Sequence, residues 1–128
     1  MTKTLRNILL ASMLSLTTIN SFAAWTKIGE NDINTSLYID FDRIKKVEGF
    51  VYVWTLMDYL KPIDGDLSAV SYFQVDCKLI KFKPLSHIFY VESMGKGSSQ
   101  QMNPTNKEWN YPPPNSLYEI FVKQACRR

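Results

Sequence analysis

The stretch Ser68–Phe82, SAVSYFQVDCKLIKF, decides how the chain is expected to fold. Apolar and polar residues alternate through most of it, which is typical of a β-strand with two different faces. Cys77 lies in this stretch, and the one other cysteine, Cys126, lies near the end of the chain. Because Phe73 and Val75 share a face with Cys77, that face is expected to lie in the core beneath a C-terminal element.

Residues 1–23 have the three parts of a secretory signal peptide: a positive start, an apolar run and a small residue at Ala23. A membrane anchor is the alternative, but a span needs about 20 apolar residues and this run is shorter. We therefore expect cleavage after Ala23 and a single domain over residues 24–128. No cysteine stands at the cleavage point, so we expect an exported protein, periplasmic or secreted, with no stable membrane anchor.

Two cysteines in an exported chain favour one disulfide, Cys77–Cys126, over two free thiols. The bond would close a loop of about 50 residues, and the chain-entropy model gives such a loop ~4 kcal/mol of stabilisation. That would be a large share of the ~5–15 kcal/mol by which small domains are stable. Pairing would also remove both thiols from any catalytic role.

The net charge argues against a nucleic-acid partner. The chain has 15 Lys and Arg residues and 12 Asp and Glu residues, and two of the basic residues, Lys3 and Arg6, lie in the expected signal peptide. The remaining 13 basic residues barely exceed the acidic ones, whereas nucleic-acid-binding domains are clearly basic.

The order of the predicted elements indicates an α+β fold. The stretch Phe50–Leu60 is rich in β-branched and aromatic residues on both faces, which predicts a central strand. Ser116, with Glu119 three residues later, forms a capping box that predicts the start of a helix. Strands therefore come first and one helix last, which predicts an antiparallel meandering sheet with a C-terminal helix on one face. The apolar stripe of that helix is Leu117, Phe121 and Ala125.

Three details of the second half of the chain are also predicted. The alternation shifts after Cys77, which a bulge or bend near Lys78-Leu79 would explain, with Ile80 buried beyond it. Pro84 is expected to end that strand, and a further strand is expected over Ser86–Met94. The segment Gly95–Pro114 has no periodicity and reads as a long loop, a type of segment that is often functional or mobile.

Two surfaces are candidates for binding a partner. A basic patch would contain Lys78, Lys81 and Lys83, with Lys45 and Lys46 as its extension, and would suit an anionic glycan or an acidic protein. The alternative is a solvated sheet edge on which lysines deter edge-to-edge pairing.

The second candidate surface is aromatic and contains Tyr52, Trp54 and Tyr72. We expect it to be a second core layer that the long loop covers through Trp109. The alternative is an exposed apolar patch for a ligand or a second copy.

The sequence offers no catalytic or metal site. His87 is the single histidine, and no carboxylate and nucleophile stand near it at a recognisable spacing. One histidine, two paired cysteines and scattered carboxylates do not make a metal-ligand cluster. We therefore expect no enzyme activity and no cofactor.

Several short motifs together resemble the surface-adhesin protein E family of Gram-negative bacteria. They are Trp25, the segments LYID, VYVW and MDY in the first half, VDC ending at Cys77, MGKG, Trp109, PNS and Cys126. Together these motifs extend over nearly all of residues 25–126. The resemblance implies a sheet of about six strands with the helix held to its concave side by the disulfide.

The resemblance also implies a binding role. Members of this kind of adhesin bind host matrix proteins such as vitronectin or laminin, or plasminogen, so an extracellular or periplasmic protein is the expected partner. The contact surface would be the basic residues Lys78, Lys81 and Lys83 or the loop that contains Lys96 and Trp109. The alternative is a soluble periplasmic module that holds a small ligand between the sheet and the long loop.

Overall fold

The computed structural model describes residues 23–105 and 107–127, and within these ranges seven strands form one antiparallel sheet. The strands are β1 (Thr26–Glu30), β2 (Ser36–Ile39), β3 (Lys45–Val47), β4 (Phe50–Ile63), β5 (Asp66–Asp76), β6 (Lys81–Tyr90) and β7 (Ser99–Met102). The helices are two short 3-10 turns, η1 (Phe41–Arg43) and η2 (Ser93–Gly95), and one α-helix, α1 (Leu117–Cys126).

The strand order is β1-β2-β4-β5-β6-β7, with β3 paired to β4 beside β2. Most neighbours in the sheet are therefore neighbours in the chain, as the α+β prediction of a meander requires. The long pair β4 and β5 forms the centre, and its register places Val53 opposite Phe73 and Trp54 opposite Tyr72. Because opposite residues share a face, this register separates a helix face, on which α1 packs, from an outer face.

The hairpin between β4 and β5 has a two-residue tip, Asp64 and Gly65. Asp64 and Gly65 both have positive φ, 51° and 85°, which is the conformation of a two-residue turn that follows the twist of the strands. Aspartate and glycine are among the residues that adopt this conformation at low cost.

The helix face forms the hydrophobic core. Phe121 is fully buried, and its ring stacks on Phe73 with 4.7 Å between centroids. The predicted contact between the helix stripe and the cysteine-bearing strand is therefore confirmed. The buried core residues on this face are Leu37, Ile39, Val51, Val53, Phe73, Val75, Phe82, Leu117, Phe121, Val122 and Ala125.

Helix α1 is held at both ends. Its N-cap is Ser116, whose hydroxyl accepts a hydrogen bond from the backbone N–H of Glu119 at 3.2 Å, as the capping box predicts. At its other end Cys126 forms a disulfide with Cys77, across a sequence separation of 49 residues. The predicted disulfide is thus confirmed.

The predicted bend after Cys77 is wrong, because the chain reverses there instead. Residues 77–80 form the turn of a hairpin between β5 and β6. Asp76 makes the turn, since its Oδ1 accepts backbone hydrogen bonds from Lys78 and Leu79, both at 3.0 Å. Ile80, expected to be buried, is 39% exposed and has a φ of 51°, which is rare for a β-branched residue.

Pro84 does not end a strand, contrary to the prediction. It lies inside β6, opposite Phe73, while Ser86 lies opposite Tyr72, so Leu85 is an extra residue in the ladder. Such a bulge is a place where a strand tolerates a residue without a backbone N–H. The strand predicted to begin at Ser86 is therefore the second half of β6.

The segment Gly95–Pro114 is also more regular than predicted. Strand β7 lies within it and pairs with the end of β6, from His87 opposite Met102 to Tyr90 opposite Ser99. Further along, Asn110 and Phe82 exchange two backbone hydrogen bonds of 2.8 and 2.9 Å. The segment is therefore tied to β6 at two places.

One end of the outer face is covered by η2. Asp58 accepts hydrogen bonds from the hydroxyl of Ser93 at 2.7 Å and from the backbone N–H of Met94 at 2.7 Å. Ser68 donates to the carbonyl of Glu92 and accepts from the N–H of Gly95. These bonds hold η2 over the sheet, where Leu56 and Val70 are buried beneath it.

Candidate functional site

The other end of the outer face carries a row of partly exposed rings, which we call the aromatic row: Phe50, Tyr52, Trp54, Tyr72 and Trp109. Tyr72 is the central ring, with its centroid 4.5 Å from Trp54 and 6.1 Å from Tyr52. Burial raises the pKa of Tyr72, and Tyr52 beside it adds to the rise, so its hydroxyl stays protonated at neutral pH.

Trp109 joins the long segment after β7 to this row. Its ring stacks on Phe50 with 5.7 Å between centroids. The ammonium groups of Lys81 and Lys83 both lie over the same ring, at 4.9 and 4.6 Å from its centroid. Cations at this distance are attracted by the ring's electron-rich face, so Trp109 holds both lysine side chains in place.

Arg43 lies over the row on the far side. Its guanidinium is 5.9 Å from the Trp54 ring, and its Nε donates to the buried Asp40 at 2.6 Å. Asp40 also caps η1 by accepting from the N–H of Asp42. A buried carboxylate thus fixes the position of Arg43 and neutralises it.

Lys81 and Lys83 differ from Arg43 because no carboxylate of the described residues pairs with them. The ion pairs among the described residues join Lys27 with Glu30, Arg43 with Asp40 and Lys123 with Glu119. Asp76 lies opposite Lys81 in the ladder, but its carboxylate accepts hydrogen bonds from two backbone N–H groups of the turn. We call Lys81, Lys83 and the aromatic row together the platform.

The structure therefore joins two surfaces that the sequence left separate. The predicted basic patch and the predicted aromatic face meet at Trp109, which was expected to cover Tyr52, Trp54 and Tyr72. Trp109 contacts Phe50 instead, and those three rings stay partly exposed. Phe50 was missed, although its spacing of two from Tyr52 places it on the same face.

Two other predicted lysines are not over the ring of Trp109. Lys78 is exposed in the turn that joins β5 to Lys81. Lys96 follows η2 at the Ser68 end of β5, whereas Lys81 lies opposite Asp76 at the other end. Those ends are about 26 Å apart at 3.3 Å per residue, so Lys96 does not belong to the same surface.

A cavity of about 370 Å³ lies on the opposite side of the sheet, beside α1. Phe73, Phe82, Pro84 and His87 come from the sheet, Asn110, Tyr111 and Pro113 from the long segment, and Tyr118 from the helix. None of these lining side chains is charged at neutral pH unless the ring of His87 is protonated. Burial lowers the pKa of His87, which keeps the ring neutral at pH 7.

His87 is hydrogen-bonded to a hydroxyl, with 2.7 Å between its Nδ1 and the Oγ of Ser71. A nucleophile and base pair of this kind needs a third group, usually a carboxylate, to orient the ring. Within residues 23–105 and 107–127, His87 makes no hydrogen bond or ion pair with a carboxylate. No three metal-ligating side chains of this part of the chain come together.

The described helices include none that has the length and hydropathy needed to cross a membrane.

Comparison with known proteins gives one family match and several structures with a similar fold. Residues 25–127 match the model of a family described as surface-adhesin protein E. The fold is similar to that of Haemophilus influenzae protein E in its crystal form II, with a TM-score of 0.58 and 16% identity over 84% of this chain and 91% of that one. A second structure, of protein E from non-typeable Haemophilus influenzae, gives a TM-score of 0.55 at 16% identity over 85% and 76%. No curated protein sequence is significantly similar to the chain.

Proposed function

Because the chain belongs to the surface-adhesin protein E family, we propose that this adhesin-like protein is exported, loses residues 1–23 by cleavage after Ala23, and binds an extracellular protein without catalysing a reaction. The family supports a surface or exported location and an adhesin-like role. The binding surface that we propose is the platform, with Lys81, Lys83 and Trp109 at its centre.

The observation that carries this proposal is the placement of two unpaired ammonium groups over Trp109. Trp and Tyr are among the side chains that contribute most to binding in protein interfaces, and exposed charges attract a partner of opposite charge. A lysine that is already held by a ring loses less conformational entropy when it binds a partner. The platform is therefore pre-organised for an acidic partner.

A non-catalytic role is supported by the surroundings of His87. The Ser71–His87 pair has no orienting carboxylate, and Ser71 is only 8% exposed. A hydroxyl so little exposed has little room to attack a substrate carbonyl.

The test is binding of the purified protein to immobilised vitronectin, laminin and plasminogen. We expect saturable binding at 0.15 M salt and weaker binding at 0.5 M salt, since salt screens exposed charges. Trp109→Ala should lose most of the binding. Tyr111→Ala is the matched control, because Tyr111 is an aromatic residue of the same segment that lines the cavity on the other side. Absence of saturable binding, or equal loss in both variants, would refute the proposal.

The cavity beside α1 supports a second candidate function, which is storage or transport of a small ligand between the sheet and the long segment. Its volume and its aromatic lining suit an uncharged ring compound. A thermal-shift screen with neutral aromatic fragments tests this function, because a ligand that binds the folded state alone raises Tm. The shift should vanish in Tyr118→Ala and persist in Trp109→Ala. No shift with any fragment would eliminate this candidate.

A further inference from the structure

We propose that the platform binds a sulfated polysaccharide, with sulfate groups on Lys81 and Lys83 and sugar rings on the aromatic row. The inference rests on the proposed function, because it names the chemical class of partner that the same surface takes. The partner protein would then be recognised through the glycan chains that it carries.

The first argument is charge complementarity. Lys81 and Lys83 lie over one ring, so two positive charges are held near each other without a carboxylate within 4 Å in the described chain. Holding like charges together costs free energy that a bound anion removes. Lysine is a compact point charge with three donors, which suits the separate oxygens of sulfate groups on a flexible chain.

The second argument is the row of rings beside these charges. Tyr52, Trp54 and Tyr72 continue from Phe50 and Trp109 along the outer face, and all of them are partly exposed. The C–H face of a sugar ring is apolar and packs on an aromatic ring, while its hydroxyl groups remain in water. A linear polymer of rings with anionic groups at intervals therefore matches the platform over its length.

An acidic polypeptide fits this surface less well. The backbone groups of β4 and β5 pair with their neighbours in the sheet, so the outer face offers side chains and no strand edge. A peptide laid on it would lose water from its own N–H and C=O groups without gaining partners. A polysaccharide has no such requirement.

A single-stranded nucleic acid also combines rings with anionic groups, but it is usually bound in a positively charged groove that follows its backbone, which two lysines do not provide. The near balance of basic and acidic residues outside residues 1–23 likewise disfavours nucleic acid.

The test is calorimetric titration of the purified protein with a heparin-derived decasaccharide of defined size, at 0.15 and 0.5 M salt. We expect binding at 0.15 M salt that the chemically desulfated decasaccharide does not reproduce. The double variant Lys81→Gln/Lys83→Gln should bind about tenfold more weakly, because it removes two charge contacts and each exposed contact is worth up to about 1 kcal/mol. The matched control Lys61→Gln/Lys123→Gln removes the same charge away from the platform and should stay within about twofold of the parent.

Tyr72→Ala separates the rings from the charges, because Tyr72 is the central ring of the row and neither Lys81 nor Lys83 lies over it. Its fold-loss should be similar at both salt concentrations, since ring stacking is not screened, whereas the fold-loss of the lysine variant should shrink at 0.5 M salt. Unchanged Tm values for the variants would show that the effects are local.

Four results would overturn the inference: equal binding of the desulfated chain, equal loss in the control pair, no effect of Tyr72→Ala, or tighter binding of polyglutamate or of oligo-deoxythymidine. If glycan-free matrix proteins bind and the decasaccharide does not, the inference is wrong and the proposed function stands. If neither binds, both fail.

Discussion

Both faces of β4 are apolar in sequence, and the two faces that β4 forms with β5 differ in what lies over them. On the helix face, Val53 and Phe73 are buried beneath α1. On the outer face, Trp54 and Tyr72 stand beside them in the same ladder and remain partly exposed. Alternation along a strand therefore identifies two faces, but it does not say which face becomes the core.

The outer face repeats this contrast within itself. At one end η2 covers Leu56 and Val70, and its anchors are the polar side chains of Asp58 and Ser68. At the other end the segment that contains Trp109 contacts Phe50 and covers no more of the outer face. An apolar face becomes core where an element is held over it. Substitutions that remove the contacts holding α1 and η2 therefore test the difference between covered and uncovered parts of the sheet.

The largest effect is expected from removing the disulfide that holds α1 on the helix face. Changing both cysteines, as Cys77→Ser/Cys126→Ser, should lower the free energy of unfolding by ~4 kcal/mol, because the unfolded chain regains the freedom that the disulfide removed. Urea denaturation of the oxidised parent and the variant measures this difference. The reduced parent should behave like the variant. A loss below about 1 kcal/mol would mean that packing alone holds α1 in place.

A smaller effect is expected from removing the side chain of Asp58, which holds η2 on the outer face. Asp58→Ala should cost about 1.5–3 kcal/mol, since the carboxylate accepts hydrogen bonds from Ser93 and Met94 and hydrogen bonds to charged groups are worth that amount. Urea denaturation measures the loss, and limited proteolysis should show faster cleavage near η2. Asp32→Ala removes the same charge from an exposed turn and should change neither quantity. Equal effects of the two substitutions would contradict the role given to Asp58.

The smallest effect is expected from His87, at the edge of the helix face. Burial lowers its pKa in the folded state below the ordinary 6.5. The unfolded chain therefore binds the proton more readily, and stability that is complete above pH 6.5 is lost as the pH falls below it. Thermal melting between pH 7.5 and 5.5 should show this loss, and His87→Gln should reduce it. An unchanged pH profile in that variant would assign the loss to other groups.

The sequence predicted the elements that carry local signals. The cap at Ser116, the stripe of α1 and the tip at Asp64 and Gly65 follow from residues close together in the chain. The disulfide followed from there being two cysteines in a chain expected to be exported.

What the sequence did not predict depends on contacts between distant residues or on unusual backbone. Ile80 adopts positive φ in the turn after β5, which its side chain disfavours, so nothing but Asp76 signalled a reversal there. Strand β7 is exposed throughout and has no alternation, so it is recognised only by its pairing with β6.

Individual residues of the platform were predicted, but the single surface that they form was not. Lys81, Lys83 and Trp109 were each singled out, but their meeting over one ring depends on how the segment after β7 returns to Phe50. That return is a long-range contact, which no pattern within either segment encodes.

The central claim is that one strand pair has a core face and a binding face, and adjacent residues of β5 test it most directly. Phe73→Ala and Tyr72→Ala should be compared by urea denaturation. Phe73→Ala should cost about 3–5 kcal/mol, because it leaves a cavity beneath α1. Tyr72→Ala should cost clearly less and should weaken binding to the decasaccharide or the matrix proteins. Equal losses of stability, with binding intact in Tyr72→Ala, would contradict the claim.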